Sequence, residues 1–442
     1  MNDSSKVFDR LIIFLCVIGV LAMAATLVVA IRGPAAAAET SGSMVDVSLS
    51  EFSISGDLNV PVGPVALRVT NNGTVAHNLR LENGPATPDL GAGESAALDL
   101  GELPAGSYRL FCTIPGHESA GMSASLAVGS EGEHAGHGTT VDYAAMDAAM
   151  VQSILQFPSA TTGSGNQLLE PTILADGTKQ FEITVAITPW EVEPGKVVDA
   201  WTYNGQAPGP AIKVDDGDRV SVVVSNELPM GTDVHFHGIK LSNAMDGVSP
   251  ITQPLIEPGE AFEYQFTAEG PAVAMYHAHH HAQLQVPNGL FGTLIIGDLP
   301  LPLGRTIGRH EIPGELALSA EIPMVLNDAG VIGYSLNGKS FPATAPHVVG
   351  LNEWFLVHYY NEGLQIHPMH LHGFPQLVVA KDGFPLDEPY WVDTLNVAPG
   401  ERFSVLVHAT ELGTWVWHCH ILNHVESETG MFGMVTAVIV EP

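Results

Sequence analysis

WVWHCHILNHVESETGM, residues 415–431, is the stretch that decides how this chain is read. Successive side chains on a β-strand face opposite sides, so His418 and His420 share one face while Cys419 takes the other. One strand can therefore serve two metal sites. His424 and Met431 follow, and a set of two histidines, a cysteine and a soft thioether is the donor set of a blue-copper electron-transfer site. The second histidine is found upstream in HPMHLH, where His367 stands apart from the pair His370 and His372.

Eight of the histidines fall into four HxH pairs: His235/His237, His277/His279, His370/His372 and His418/His420. Each pair puts two imidazoles on one face of a strand. Eight such imidazoles suit a three-copper cluster. One HxH pair in a chain with 20 histidines carries little information, but four pairs, one of them straddling a cysteine, are a pattern.

The motifs HFHG (235–238), HAH (277–279), HPMHLH (367–372) and HCHILNH (418–424) resemble those of the multicopper oxidases, over roughly residues 165 to 442. DGVSPITQ, GLFGTLII and DTLNVAPGERFSVLV flank them in matching positions. Carried over by position, the resemblance implies a type 1 copper held by His367, Cys419, His424 and Met431, and a type 2 copper held by His235 and His370. It implies one type 3 copper on His237, His277 and His420 and the other on His279, His372 and His418. Three residues usually separate the last histidine from the Gly-Met pair, whereas VESET supplies five here, so Met434 stands as the alternative to Met431. Asp246 matches an acidic residue that the family places near the cluster, which implies a proton-relay or supporting role. Cys419, joined in sequence to His418 and His420, then gives a short covalent path for electrons.

A second copper signature lies in YRLFCTIPGHESAGMSASLAV, where Cys112, His117 and Met122 are spaced C-x4-H-x4-M and His77 is available as fourth ligand. This module resembles the small blue-copper proteins, the cupredoxins. The expected fold class is all-β: three tandem cupredoxin-like Greek-key β-sandwich domains preceded by one N-terminal transmembrane helix. The expected boundaries are 1–35 for an anchor or signal segment, 45–129 for the first cupredoxin, 130–165 for a linker with a short helix, and 166–300 and 310–442 for the oxidase pair. In that linker SEGEHAGHGTT, with His134 and His137, reads as solvated chain, and VDYAAMDAAMVQSILQF as the helix.

Residues 11–31 are an uncharged apolar run long enough to span a bilayer, which places the copper domains on the extracytoplasmic side of a membrane. Cleavage after the alanine run of GPAAAAET would instead release a secreted protein. The three cysteines form no evident disulfide pair: Cys16 lies in the apolar run, while Cys112 and Cys419 lie in the copper motifs, where their thiols serve metal. A formal charge of −32 argues against nucleic acid as a partner.

The function implied is oxidation of a phenol, aromatic amine or metal ion one electron at a time, coupled to reduction of O2 to water, with about five coppers per chain. The family resemblance also implies a homotrimer, because the histidine-bearing modules are consecutive, as in two-domain members. A protein electron donor is a further partner that the extra cupredoxin admits. Two alternatives compete: a copper nitrite reductase, which needs its type 1 cysteine where Ala278 stands, and a membrane-tethered copper-binding electron carrier.

Overall fold

A computed structural model of the chain describes residues 43–51, 53–114, 117, 122–129, 143–427 and 429–442. The apolar run 11–31 with Cys16, and the linker histidines His134 and His137, lie outside these residues. Among the described residues no helix is long and apolar enough to cross a membrane. The chain divides into two compact units, Met1–Thr139 and Thr140–Pro442.

The first unit is a sandwich of two four-stranded sheets. One runs in the order Ser53–Gly56, Ser43–Ser50, Gly63–Asn71, Ser95–Leu103; the other runs Asn59–Val60, Ser123–Val128, Gly106–Phe111, Arg80–Leu81. Alternation drives the packing. In Gly63–Asn71, Val65, Leu67 and Val69 are buried while Arg68 between them is exposed, as expected of a strand with one face on the core. Leu49, Leu110 and Leu126 join them, and burying each such side chain stabilises the unit by about 1.5–3 kcal/mol.

The second unit holds two sandwiches. The first pairs a sheet built on Lys179–Glu193 and Arg219–Asn226 with a sheet in the order Ile212–Val214, Phe291–Ile296, Ala272–His277, His235–His237. The second pairs a six-stranded sheet around Trp354–Asn361 with a five-stranded sheet in the order His347–Gly350, Val435–Glu441, Gly413–Cys419, His367–Leu371, Thr394–Val397. Every residue of Trp354–Asn361 is buried, because both faces of this strand are covered. Histidine-bearing strands therefore lie side by side in each sandwich: His235 pairs with His277, and His370 with His418.

Polar contacts lock the two sandwiches together. The buried Arg402 guanidinium of the second donates from Nε to the Val273 carbonyl of the first at 2.9 Å. Trp190 Nε1 donates to the Gly338 carbonyl at 2.7 Å, and Lys339 Nζ lies 4.0 Å from the Trp190 ring centroid. Lys213 reaches across to Glu321 at 3.0 Å, and Glu321 also accepts from His358 Nε2 at 3.0 Å.

The His358 hydrogen bond, acting against burial and helped by Lys213, lowers the Glu321 carboxyl to about 2. A carboxylate with a depressed folded value stabilises the fold above its unfolded value, and that contribution is lost as pH falls from about 4.5 through 2. Glu321→Gln is accordingly expected to cost about 1 kcal/mol at pH 6, allowing for solvent screening at the exposed edge, and almost nothing near pH 2. Urea midpoints of the two proteins across that range measure this; a pH-independent gap would contradict it.

Candidate metal centres

His367 opens the strand His367–Leu371 and Cys419 ends the strand Gly413–Cys419, which are neighbours paired at Met369 and Cys419. His424 returns from the loop that follows. Both His367 Nδ1 and His424 Nδ1 lie 3.7 Å from Cys419 Sγ, and the three ligand atoms all fall within 4.8 Å of one another. This spacing fits one copper ion.

The ring of His367 is fixed from behind. Its Nε2–H donates to Asp328 Oδ2 at 2.9 Å, which leaves Nδ1 as the lone-pair nitrogen facing the sulfur. Asp328 is fully buried and also accepts from the Leu364 and Gln365 backbone N–H groups at 2.9 and 2.7 Å. Burial works to raise its carboxyl, but the hydrogen bond from His367 and the backbone donors outweigh that and hold it below the usual range. Burial pushes the Cys419 thiol up to about 12, so binding of a metal must displace its proton.

The backbone marks which methionine of the second unit repeats Met122. In the first unit the Cys112 N–H donates to the Met122 carbonyl at 3.1 Å, and the Met122 N–H to the His117 carbonyl at 3.0 Å. In the second, Cys419 N–H donates to the Met434 carbonyl at 3.1 Å, and Met434 N–H to the His424 carbonyl at 3.0 Å. Met434 thus repeats the backbone position of Met122, and both side chains are fully buried. Gly433 makes the approach feasible: it has φ +70°, and a Cβ there would sit 2.2 Å from the His424 carbonyl oxygen.

Met431 lies elsewhere, in an excursion of residues 425–432 closed by a hydrogen bond from Phe432 N–H to the Val425 carbonyl at 2.9 Å. Within it Glu426 and Ser427 pair with Met431 and Gly430. This hairpin rests on the helix Tyr143–Leu155, where Ser153 Oγ accepts the Met431 N–H at 2.8 Å. The additional residues after His424 are taken up in that hairpin.

In the first unit His77 Nδ1 lies 3.1 Å from His117 Nδ1, which lies 3.6 Å from Cys112 Sγ. The Asn78 N–H points at the sulfur from 3.5 Å. His77 is fully buried, and its Nε2 has no hydrogen-bond partner. Convergence of two imidazole nitrogens on a buried cysteine fits copper here as well.

The HxH pairs form two quartets. His235, His237, His277 and His279 gather in the first sandwich of the second unit, with ring centroids 5.5–5.9 Å apart between contacting pairs. His370, His372, His418 and His420 gather in the second, where His372 Nε2 and His418 Nε2 are 3.1 Å apart. In four rings Nδ1–H donates to a carbonyl: His235 to Asp246 at 2.7 Å, His277 to Ala278 at 3.0 Å, His370 to Asp393 at 3.1 Å and His418 to Cys419 at 2.8 Å. Nε2 is thereby left free to ligate. Burial, with help from Arg402, lowers His237 to about 4, and burial likewise lowers His277 to about 4. Both imidazoles are neutral at pH 7, as ligands must be.

Asp246 meets His235 twice, through its carbonyl and through Oδ1 at 3.6 Å from Nδ1. Gly247 allows this contact, because a side chain there would strike the Val234 carbonyl at 1.8 Å. Three carboxylates escaped the sequence reading. Asp328 supports His367, Asp393 Oδ2 lies 3.2 Å from His370 Nδ1, and buried Asp233 accepts the His279 and His280 N–H groups at 2.7 Å each. Asp233 had a signal in its place two residues before HFH, and Asp393 in opening the flanking segment DTLNVAPGERFSVLV.

Multicopper oxidase family models match residues 184–300 and 317–441, the two sandwiches that carry the quartets. The fold is similar to that of the multicopper oxidase mgLAC, at 30% identity and TM-score 0.53 over 59% of this chain and 86% of that one. It is equally similar to a blue copper oxidase from Nitrosomonas europaea, at 30% identity and TM-score 0.54 over 59% of this chain and 85% of that one. The chain belongs to the multicopper oxidases. Curated relatives of this oxidase include dihydrogeodin oxidase of Aspergillus terreus, 31% identical over 57% of this chain and 46% of its own length. Laccase-2 of Botryotinia fuckeliana is 30% identical over 60% of this chain and 50% of its own length. The oxidase thus spans about half the length of these relatives. A sulfocyanin (SoxE) domain model matches residues 58–132, so an extra cupredoxin precedes the oxidase pair. Nitrite reductase is not favoured: the buried Ala278 leaves the first sandwich of the pair without a thiolate.

Proposed function

We propose that this protein is a laccase-like oxidase that takes electrons one at a time from a small reducing substrate and reduces O2 to water. The observation that carries the reading is the strand Gly413–Cys419 with its continuation. Cys419 turns into the core beside His367 and His424, while His418 turns the other way to meet His372. Copper, when bound, supplies one-electron storage and the site of O2 reduction. The chain's own residues do the rest. His367, Cys419 and His424 would hold a copper ion in a buried pocket beside the buried Met434, and Asp246 holds His235 and offers a carboxylate for proton delivery.

Five coppers per chain follow from this reading: one in the extra cupredoxin, one type 1 centre beside Cys419, and three among the eight histidines. Two features support a homotrimer with shared clusters. His279, His372 and His420 are exposed, and among the described residues no ring contact joins the first quartet to the second. A second copy of the chain would complete each cluster. Residues 11–31 would anchor the assembly with its copper domains outside the cytoplasm.

The test is oxygen uptake by the copper-loaded full chain with an aromatic amine, alongside a metal count, light scattering and membrane fractionation of the same preparation. Expected are uptake, about five coppers per chain, a trimer and sedimentation with membranes. About two coppers and no uptake would make it an electron carrier. Activity confined to nitrite would sink the oxidase.

A further inference from the structure

The copper ligands around Cys419 are all sealed from solvent: His367 and Cys419 are 0% exposed and His424 is 1% exposed. A reducing substrate therefore cannot touch a ligand histidine directly. What covers His424 is Tyr334, whose ring stacks on the imidazole at 4.3 Å between centroids and 24° between planes. Tyr334 lies in Gly333–Leu336, the edge strand of the six-stranded sheet, and is half-buried, with its ring stacked on the ligand imidazole. Phe432, the last residue of the inserted hairpin, meets the same ring edge-on at 6.2 Å and 63°. Gly433 completes the arrangement, because a Cβ there would press to 3.1 Å from Tyr334 Cβ.

We propose that Tyr334 is the port through which electrons reach the type 1 copper. A donor abuts the Tyr334 ring, and its electron passes through that ring and the His424 imidazole. The donors that suit this port are one-electron, outer-sphere reductants able to contact an aromatic edge; hydrogen bonding to a ligand histidine is not required. The transfer is balanced without proton or bond changes: the donor loses one electron and Cu(II) gains it to become Cu(I). This inference rests on the type 1 assignment above. Tyr334 is a positioning and conducting residue, which also packs the hairpin against the ligand loop.

The test uses the copper-loaded full chain carrying Cys112→Ser, so that a single blue centre remains, reduced without oxygen by hexaammineruthenium(II) in a stopped-flow instrument. Bleaching of the blue band reports electron arrival, and its spectrum and reduction potential are recorded for each variant. Tyr334→Phe is expected to stay within about twofold of the parent rate, whereas Tyr334→Leu slows bleaching by about tenfold at unchanged spectrum and potential. Tyr334→Met provides a second saturated side chain if the leucine variant does not fold, with the same slowing expected. Unchanged or faster bleaching in the saturated variants would show that Tyr334 is only a cover and overturn the proposal. Slowing accompanied by a shifted potential would also overturn it, since Tyr334 would then act on the ligand set. A parent protein without a blue band would remove the type 1 assignment itself, a failure distinguishable from both.

Discussion

Replacing Cys419 by serine is expected to lower turnover with organic donors by at least about a thousandfold while leaving the histidine quartets able to bind copper. A serine hydroxyl is a hard donor that keeps its proton, whereas the thiolate both stabilises Cu(I) and forms the covalent link to His418 and His420. Side-chain alternation protects the rest of the site. Cys419 packs in the core with Met369 and Met434, while His418 and His420 point to the opposite face of the same strand segment. The copper count should fall by about one per chain, and about half of the blue absorption should survive, contributed by Cys112. Oxygen uptake, absorption and metal content on one sample decide the matter; normal turnover in the variant would refute the electron route.

The second large effect separates two methionines three positions apart. Met434→Leu is expected to raise the type 1 reduction potential by about 60 mV or more, equivalent to a tenfold change in the Cu(II)/Cu(I) equilibrium, because a weak axial donor that favours Cu(II) is lost. Met431→Leu should leave the potential where it was. The reason is positional: Met434 shares with Met122 the two backbone hydrogen bonds that tie it to the cysteine and the last histidine, whereas Met431 sits on a hairpin held by Ser153. Redox titration of the two variants in a Cys112→Ser background tests this, and the reverse pattern would return the axial role to Met431.

The metal centres were largely legible because their ligands follow a strand's period of two. HxH pairs and the flanked cysteine fix which imidazoles share a face whatever the rest of the fold does, and the structure brings His367, Cys419 and His424 together, as well as His77, Cys112 and His117. The helix in the linker was readable from alanine and methionine propensity, and it forms as Tyr143–Leu155. What it packs against was not readable. Its contact with the inserted hairpin joins Ser153 to Met431, two residues 278 positions apart, and no local pattern encodes such a pairing.

By itself, then, the sequence determined the all-β class, the extra cupredoxin, the two quartets and the cysteine between His418 and His420, because each depends on spacing along one strand or one loop. Only tertiary structure sets Met434 in the backbone register that Met122 holds in the first unit, since an insertion shifts sequence spacing but leaves the hydrogen bond between Cys419 and Met434 intact. It also decided the carboxylates Asp328 and Asp393 behind the ligand histidines and the Tyr334 ring over His424. Asp328 and Tyr334 come from strands remote from the motifs, and only the packing of one sheet on another sets their distance from the metal sites, whereas Asp393 is placed by the pairing of Thr394–Val397 with His367–Leu371.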